Sequence, residues 1–335
     1  AHGEVAETLR AGKIATGHYS LPETDRGLNA YIASGVRCCH ESTRPEDALA
    51  KMRLGMYAQL RFGSAWQDLP VLAEAVASGD IDTRFANLVS DDTHPHTLVA
   101  DGHLDHIVRT AVSLGIDAVS AIQMVTINCA QCFQMDHDLG SITPGKCADI
   151  VFLDDLESLR VTRVLIDGEV VAEDGRALFD LPPYRYPDWA TRSVHLGREI
   201  APTSFEVAAP EGIVDGDTVR VRAIEVVPGK VGTFEAHVDL PVANGRLESA
   251  VEQDVLKAFV FERHRETGTF GKGFVKGFGI KRGAMASTVA HDAHNLLVLG
   301  TNDEDMALAA NTLAACGGGM VVVADGEVLG LVELP

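Results

Sequence analysis

No apolar run in the sequence approaches the roughly 20 residues that a helix needs to cross a bilayer, and mean hydropathy is close to zero. A membrane-spanning protein is therefore not expected. The first twenty residues lack a basic start, an apolar stretch and a small-residue cleavage site, so no secretory signal is expected either. Positive charge is scarce: 28 Lys and Arg stand against 48 Asp and Glu, for a formal net charge of −20. Nucleic-acid backbones and anionic membranes select clustered Lys and Arg, so neither is an expected partner. The acids are spread along the chain, as residues that solvate a surface are. Cysteine is sparse as well, with six in 335 residues. Cys38 and Cys39 are adjacent, Cys129 and Cys132 fall in a helical pattern, and Cys147 and Cys316 stand alone. That is no disulfide scaffold, and a reducing, cytoplasmic setting is the expectation.

What is present is enough apolar sequence, 46% of the chain, for two or three domains with real cores. Through residues 1–133 short apolar runs alternate with amphipathic segments. Lys13–His18, Gly35–His40, Gly55–Arg61 and Phe85–Asp91 read as buried strands. Thr24–Ser34, Pro45–Leu54, Leu69–Ser78, Gly102–Leu114 and Asp117–Phe133 read as helices. Strand then helix, repeated, implies an α/β fold with a parallel sheet and right-handed crossovers. Four such units are visible where a closed (β/α)₈ barrel needs eight. Either the sheet is open or half a barrel lies elsewhere.

From residue 134 the pattern changes. The stretch from Asp138 to Asp154 has a Pro-Gly turn feeding an apolar strand, and Val161–Gly175 reads as a hairpin closed at Asp167-Gly168. Residues 134–200 thus form a small β-sandwich unit with a Pro-rich connecting segment. Residues 201–335 form a carboxy-terminal α/β or α+β domain. Its expected strands lie near Thr218–Val227, Met285–Ala290, Asn295–Gly300, Met320–Val323 and Glu327–Leu334, with a helix at Glu304–Ala315. Thr301 to Asp303 can cap that helix, and the glycines at 317–319 end it. No Lys or second helix follows them, so they do not form a phosphate loop.

Three strand ends carry residues with chemistry: "IATGH" ending at His18, "VRCCHES" containing His40, and "NLVSDDTHP" containing Asp91 and Asp92. Two imidazoles and a carboxylate on neighbouring parallel strands can converge on one divalent cation, and that donor set suits Zn, Fe, Mn or Ni over Ca or Mg. Each His alone also reads as a capping or buried hydrogen-bonded residue. His103 and His106, at the start of a helix, take a structural reading. Cys129 and Cys132 share one helix with no Pro or His-x-Glu beside them, and pack as small apolar groups. In "VAHDAHN", His291, Asp292 and His294 are either a second metal or pocket site or a hydrogen-bonded polar turn.

The stretches "GLNAYIASGVRCCHESTRPEDALAKMRLGMYAQLRFGSA", "VSDDTHPHTLVADGHLDHIVRTAVSLGIDAVSAIQMVTINCA" and "GAMASTVAHDAHNLLVLGTNDEDMALAANTLAACGGGMVVVADGEV" resemble the adenine deaminase family of the metal-dependent amidohydrolase superfamily. The resemblance covers nearly the whole chain. It implies a (β/α)₈ TIM barrel of the metallo-dependent hydrolase type, of which the second half is visible. It also implies a binuclear divalent centre, of Mn or Fe with Zn as the alternative. Carried over by position, His18 and His40 are metal ligands, and Asp91 is both a ligand and the acid–base group. Asp92 either hydrogen-bonds a purine ring nitrogen or braces its loop, and His94 and Glu41 are further candidates near the pocket. The implied activity is hydrolysis of adenine to hypoxanthine and ammonia, in purine salvage, by a homo-oligomer. Two alternatives stand beside it: a cyclic-amide hydrolase of the same superfamily, and a catalytically incomplete fragment. The family's His-x-His pair and bridging carboxylate have no counterpart before His18, which implies that the chain alone is inactive.

Overall fold

The structure, a computed structural model, describes residues 2–21, 25–228 and 232–334. The chain divides into two compact units, residues 1–182 and 183–335. In the first, helix α1 (His2–Arg10) precedes strand β1 (Ala15–Gly17). Then follow α2 (Arg26–Ala33), β2 (Val36–Cys39), α3 (Pro45–Arg53) and β3 (Tyr57–Arg61). A short α4 (Leu69–Leu72) leads to β4 (Ala86–Val89). Helices α5 (Pro95–Ala100), α6 (Leu104–Ser113), α7 (Ala118–Val125) and α8 (Ile127–Cys132) come after it.

The four strands form one sheet in the order β1-β2-β3-β4, every neighbouring pair parallel. All five residues of β3 are buried, as in the inner strands of parallel sheets. Leu60 and Leu88 pack with Ala48 and Met52 of α3, Leu69 and Leu72 of α4, Ile107 and Ala111 of α6, and Met124 of α7. Helix α3 begins with Pro45 at its first turn, followed by Glu46 and Asp47, and ends with Lys51 and Arg53. That charge order suits the helix dipole. The register pairs Gly17 with Cys39, Cys39 with Ala58 and Arg61 with Val89. The residues that leave β1, β2, β3 and β4 therefore emerge along one edge, where parallel α/β sheets hold their chemistry.

The strands and helices expected in residues 1–133 are found, with two differences in detail. Leu69–Ser78 is not one helix: after Leu72 the chain tightens into a 3₁₀ turn, Ala73–Ala75, with Val76 N–H donating to the Ala73 carbonyl. The helix expected over Asp117–Phe133 breaks at Thr126, whose hydroxyl donates to the Ile122 carbonyl one turn back, a bond that bends helices. Thr24, taken as the start of α2, lies outside the described residues.

Strands β5 (Ile150–Leu153), β6 (Val161–Ile166), β7 (Glu169–Glu173) and β8 (Arg176–Ala177) make a four-stranded antiparallel meander. The β6–β7 hairpin closes at Asp167-Gly168, both with positive φ, as a tight two-residue turn requires. The β-sandwich expected here is a single sheet among the described residues. Four short strands build one layer, and Val151, Phe152 and Ile166 stay exposed.

In the second unit, α9 (Asp188–Thr191) precedes β9 (Thr218–Val226), β10 (Thr233–Ala243), β11 (Arg246–Leu247), β12 (Val255–Phe261) and β13 (Phe270–Lys276). Then come β14 (Ala284–Ser287), β15 (Leu296–Gly300), α10 (Asp303–Cys316), β16 (Gly319–Ala324) and β17 (Glu327–Glu333). The nine strands form one sheet, ordered β11-β10-β9-β13-β12-β15-β14-β16-β17. Only the β9–β13 pairing is parallel, so the unit is α+β. Helix α10 lays Met306, Ala309, Ala310 and Leu313 against Phe259, Val298 and Val321. Gly317 ends it in the left-handed conformation, and a side chain at Gly319 would meet the Val332 carbonyl at 2.0 Å. The three glycines thus turn the chain tightly into β16.

The start of α10 is fastened reciprocally. Asn302 Oδ1 accepts the Asp305 N–H at 2.8 Å, and Asn302 Nδ2 donates to Asp305 Oδ2 at 2.8 Å, the logic of a capping box. The same carboxylate accepts the N–H groups of Asp325 and Gly326 in the β16–β17 turn. Burial pushes the Asp305 carboxyl up, but these bonds and the charge of Arg282 outweigh it and hold its pKa below the usual value. Its stabilising contribution is therefore present above the unfolded pKa of about 3.9 and is lost as pH falls through the lower folded value. We expect Asp305→Ala to cost about 1–3 kcal/mol at neutral pH and the gap from the parent to shrink in acid. Urea unfolding at pH 7 and pH 3 checks this, and equal gaps at both would contradict it.

Candidate active site

Each strand end of the parallel sheet delivers a polar side chain to the same edge. His18 follows β1, His40 and Glu41 follow β2, Arg61 ends β3, and Asp91 stands two residues beyond β4. The Glu41 carboxylate lies between the two imidazoles. His18 Nδ1 is 2.7 Å from Glu41 Oε1, and His40 Nε2 is 3.3 Å from the same oxygen. The two rings meet edge to face with centroids 4.5 Å apart. One ligand atom from each of His18, His40 and Glu41 lies within 4.8 Å of the others. This is the group of metal-competent side chains found among the described residues.

Arg61 organises the carboxylates behind them. It is 1% exposed. Its Nε donates to Asp68 Oδ2 at 2.7 Å and its Nη1 donates to Asp91 Oδ2 at 2.9 Å. The same Nη1 is 3.3 Å from Glu41 Oε2. Its guanidinium also lies over the Trp66 ring, 5.5 Å from the centroid, an added cation–π attraction. Its Nη2 is buried with no hydrogen-bond partner among the described residues.

These contacts set the protonation of the cluster. The His40 hydrogen bond holds the Glu41 carboxyl down at about 2 against the opposing effect of burial, helped by the His18 bond and the Arg61 charge. His40 is raised by its bond to Glu41, with burial opposing and the charges of Glu41 and Asp91 assisting. Burial works against the Arg61 cation, but Asp68, Glu41 and Asp91 more than restore it. Glu41 is therefore an ionised carboxylate wedged between two imidazoles and a guanidinium.

His18 and His40 are thus brought together. Asp91, expected beside them, is joined to the cluster through Arg61 and sits in the left-handed region at φ 56°. Glu41, a further candidate from the sequence, stands at the centre. The Asp92 carbonyl accepts the Ser64 N–H, which ties the loop after β4 to the loop after β3. His94 precedes α5, its N–H donating to Ser64 Oγ at 2.8 Å and its ring 5.7 Å from that of His96. These loops border a polar cleft of about 210 Å³ lined by Ser64, Ser90, Thr93, His96, His103 and His106. His103 Nε2 lies 3.2 Å from Ser90 Oγ.

In the second unit, the rings of His291 and His294 lie tilted at 51° with centroids 4.8 Å apart in the turn between β14 and β15. That turn is held from below. Arg263 donates to the His294 carbonyl, and His264 Nε2 lies 3.0 Å from the Ala293 carbonyl. All six cysteines are free, and burial pushes the Cys129 thiol up to about 11.

Arg61 was not singled out from the sequence. The signal was available: an arginine closing a strand that is apolar but for Gln59, after the two strands that His18 and His40 follow.

Residues 5–171 match the amidohydrolase family and residues 230–335 match the adenine deaminase C-terminal domain. The first unit is thus built on an amidohydrolase segment. A Clostridium botulinum (strain ATCC 19397 / Type A) protein named adenine deaminase is 64% identical over 335 residues, covering 100% of this chain and 55% of that protein. A Moorella thermoacetica adenine deaminase is 52% identical over 334 residues, covering 100% and 56%. A solved β-aspartyl dipeptidase from Fervidobacterium islandicum AW-1 is 19% identical at a TM-score of 0.39, over 53% of this chain and 52% of that one. The chain belongs to the adenine deaminase family. It spans about half the length of the curated relatives it matches.

Removing Arg61 leaves Glu41, Asp68 and Asp91 facing one another without their shared counter-charge. Arg61→Met is expected to cost about 3–5 kcal/mol, and Arg61→Lys less, since the charge returns without the fork. Denaturant unfolding reads both, and a loss under about 1 kcal/mol for the Met variant would contradict the network.

Proposed function

We propose that this chain supplies part of the active site of a hydrolytic adenine deaminase, with His18, His40 and Glu41 holding a divalent cation. The observation that carries this reading is the convergence of two imidazoles on one ionised carboxylate at a parallel-sheet edge. The names of the relatives supply the substrate. The donor set fits the ion: neutral imidazole nitrogens and a deprotonated carboxylate are the ligands that Zn, Mn and Fe accept. A cation held there supplies Lewis-acid activation of water near neutral pH. Three donors hold one ion, and a binuclear centre needs further ligands beyond this cluster.

In this reading Asp91 is the acid–base residue. It takes a proton from the water that attacks the amino-bearing carbon of adenine, then returns it to the departing amine. Water adds, ammonia leaves, and the ring becomes hypoxanthine. Arg61 fixes the Asp91 carboxylate at 2.9 Å, so the proton carrier is oriented before substrate arrives. Asp92 and His94, on the loop beside the polar cleft, are the candidates to contact the purine. The four strands then form half of a (β/α)₈ barrel, and the protein acts in purine salvage as a cytoplasmic homo-oligomer. The turn of His291, Asp292 and His294 serves in the second unit as a hydrogen-bonded structural corner. A second reading makes Asp91 a direct metal ligand, favoured by its place at the end of β4.

One set of variants in the full natural protein tests these roles. His18→Ala, His40→Ala and Glu41→Gln should each lower bound metal per subunit, and unchanged content in all three by elemental analysis would refute the centre. Asp91→Asn should cut ammonia release from adenine by about 10²–10⁴-fold with metal content kept. Lost metal would favour the second reading instead. Release from a cyclic amide but not from adenine would point to a different hydrolase of the superfamily.

A further inference from the structure

The paired register of β1 and β2 ends at Gly17 and Cys39. The next residue on each strand carries an imidazole, so no ladder bond positions either ring. Two side chains take over at that point. Cys39 is fully buried. Its sulfur accepts the Tyr19 N–H at 3.1 Å and the Glu41 N–H at 3.4 Å, and its thiol faces the Tyr19 carbonyl at 3.7 Å. Lys51, on α3, is 1% exposed. Its ammonium donates to the Tyr19 carbonyl at 3.2 Å and to the Ser42 hydroxyl at 2.8 Å.

Both bridges join the residue after His18 to the residues around Glu41. Among the described residues no carboxylate lies within the 4.0 Å of an ion pair with Lys51. Burying an ammonium is costly unless its donors are used, and the Lys51 donors are spent on two loop ends. Sulfur, likewise, is a weak acceptor that receives two backbone N–H groups here.

We infer that Lys51 and Cys39 are positioning residues that clamp the end of β1 to the end of β2. They fix the approach of His18 Nδ1 and His40 Nε2 to one point. The inference rests on the metal reading above. Neither residue touches the ion or the substrate: each acts through the backbone that carries the ligands.

The test measures Zn²⁺ affinity of the full natural protein by competition with a chromogenic chelator. The variants are Lys51→Met, Cys39→Ala, Cys39→Ser and, as a control, His18→Ala. Near-UV circular dichroism reports the fold of each. Lys51→Met should keep the parent spectrum and bind Zn²⁺ about 10–100-fold more weakly, the usual effect of losing a group that orients a ligand. Cys39→Ala should also weaken binding, while Cys39→Ser restores it to within about threefold, because a hydroxyl accepts the same N–H groups. A purely structural role would lower stability in both Cys39 variants without that split. A folded Lys51→Met variant that binds like the parent overturns the clamp. Should that variant not fold, equal affinity of the two Cys39 variants overturns it. If His18→Ala loses zinc while the clamp variants keep it, the clamp alone is wrong. If His18→Ala binds as the parent does, the metal reading fails and the clamp with it.

Discussion

A single buried guanidinium holds the edge of the parallel sheet together. Arg61 ends β3 and draws in Glu41 from the strand on one side, Asp91 from the strand on the other, and Asp68 from the loop between β3 and β4. Three carboxylates gathered in a protein interior repel one another and are costly to ionise. The His40 bond does most to keep Glu41 ionised, and the His18 bond and the shared Arg61 cation assist it. Asp91 is thus joined to His18 and His40 through Arg61 and Glu41.

The sheet makes this arrangement accessible. Parallel strands in sequential order release their chains at one edge, and the apolar crossover helices leave that edge to polar residues. Where the backbone ladder runs out, Cys39 and Lys51 carry the connection for one more residue. Past β3 and β4 the same work falls to Ser64, whose N–H and hydroxyl reach Asp92, His94 and Thr97. The second unit repeats the principle on other residues. Arg263 and His264 hold the turn of His291 and His294 through its carbonyls, and Asp305 ties a helix start to a hairpin turn.

Much of this was legible in the residues. The alternation of apolar strands and amphipathic helices exposed the parallel sheet, and His18 and His40 stood out as imidazoles leaving consecutive strands. Arg61 and Lys51 did not, because a lone cation in a sequence reads as a solvated surface residue. Only the fold reveals that both are buried. Glu41 was underrated for a similar reason: an acid beside a His looks incidental until the neighbouring strand places a second ring against it. In the second unit, β13 was missed because "FGKGFVK" is glycine-rich and reads as a loop. Strand β10, with its alternating burial, carried a period-two signal that could have been read. The break at Thr126 depends on one hydroxyl turning back on its own helix, and hydrophobic periodicity cannot encode that.

The proposed function requires one cation held by His18, His40 and Glu41. Anomalous scattering from crystals of the full natural protein grown with Mn²⁺ measures this directly. A peak is expected within about 2.0–2.3 Å of His18 Nδ1, His40 Nε2 and a Glu41 oxygen. A well-ordered site with no peak at that point, or with the ion bound away from all three residues, would contradict it.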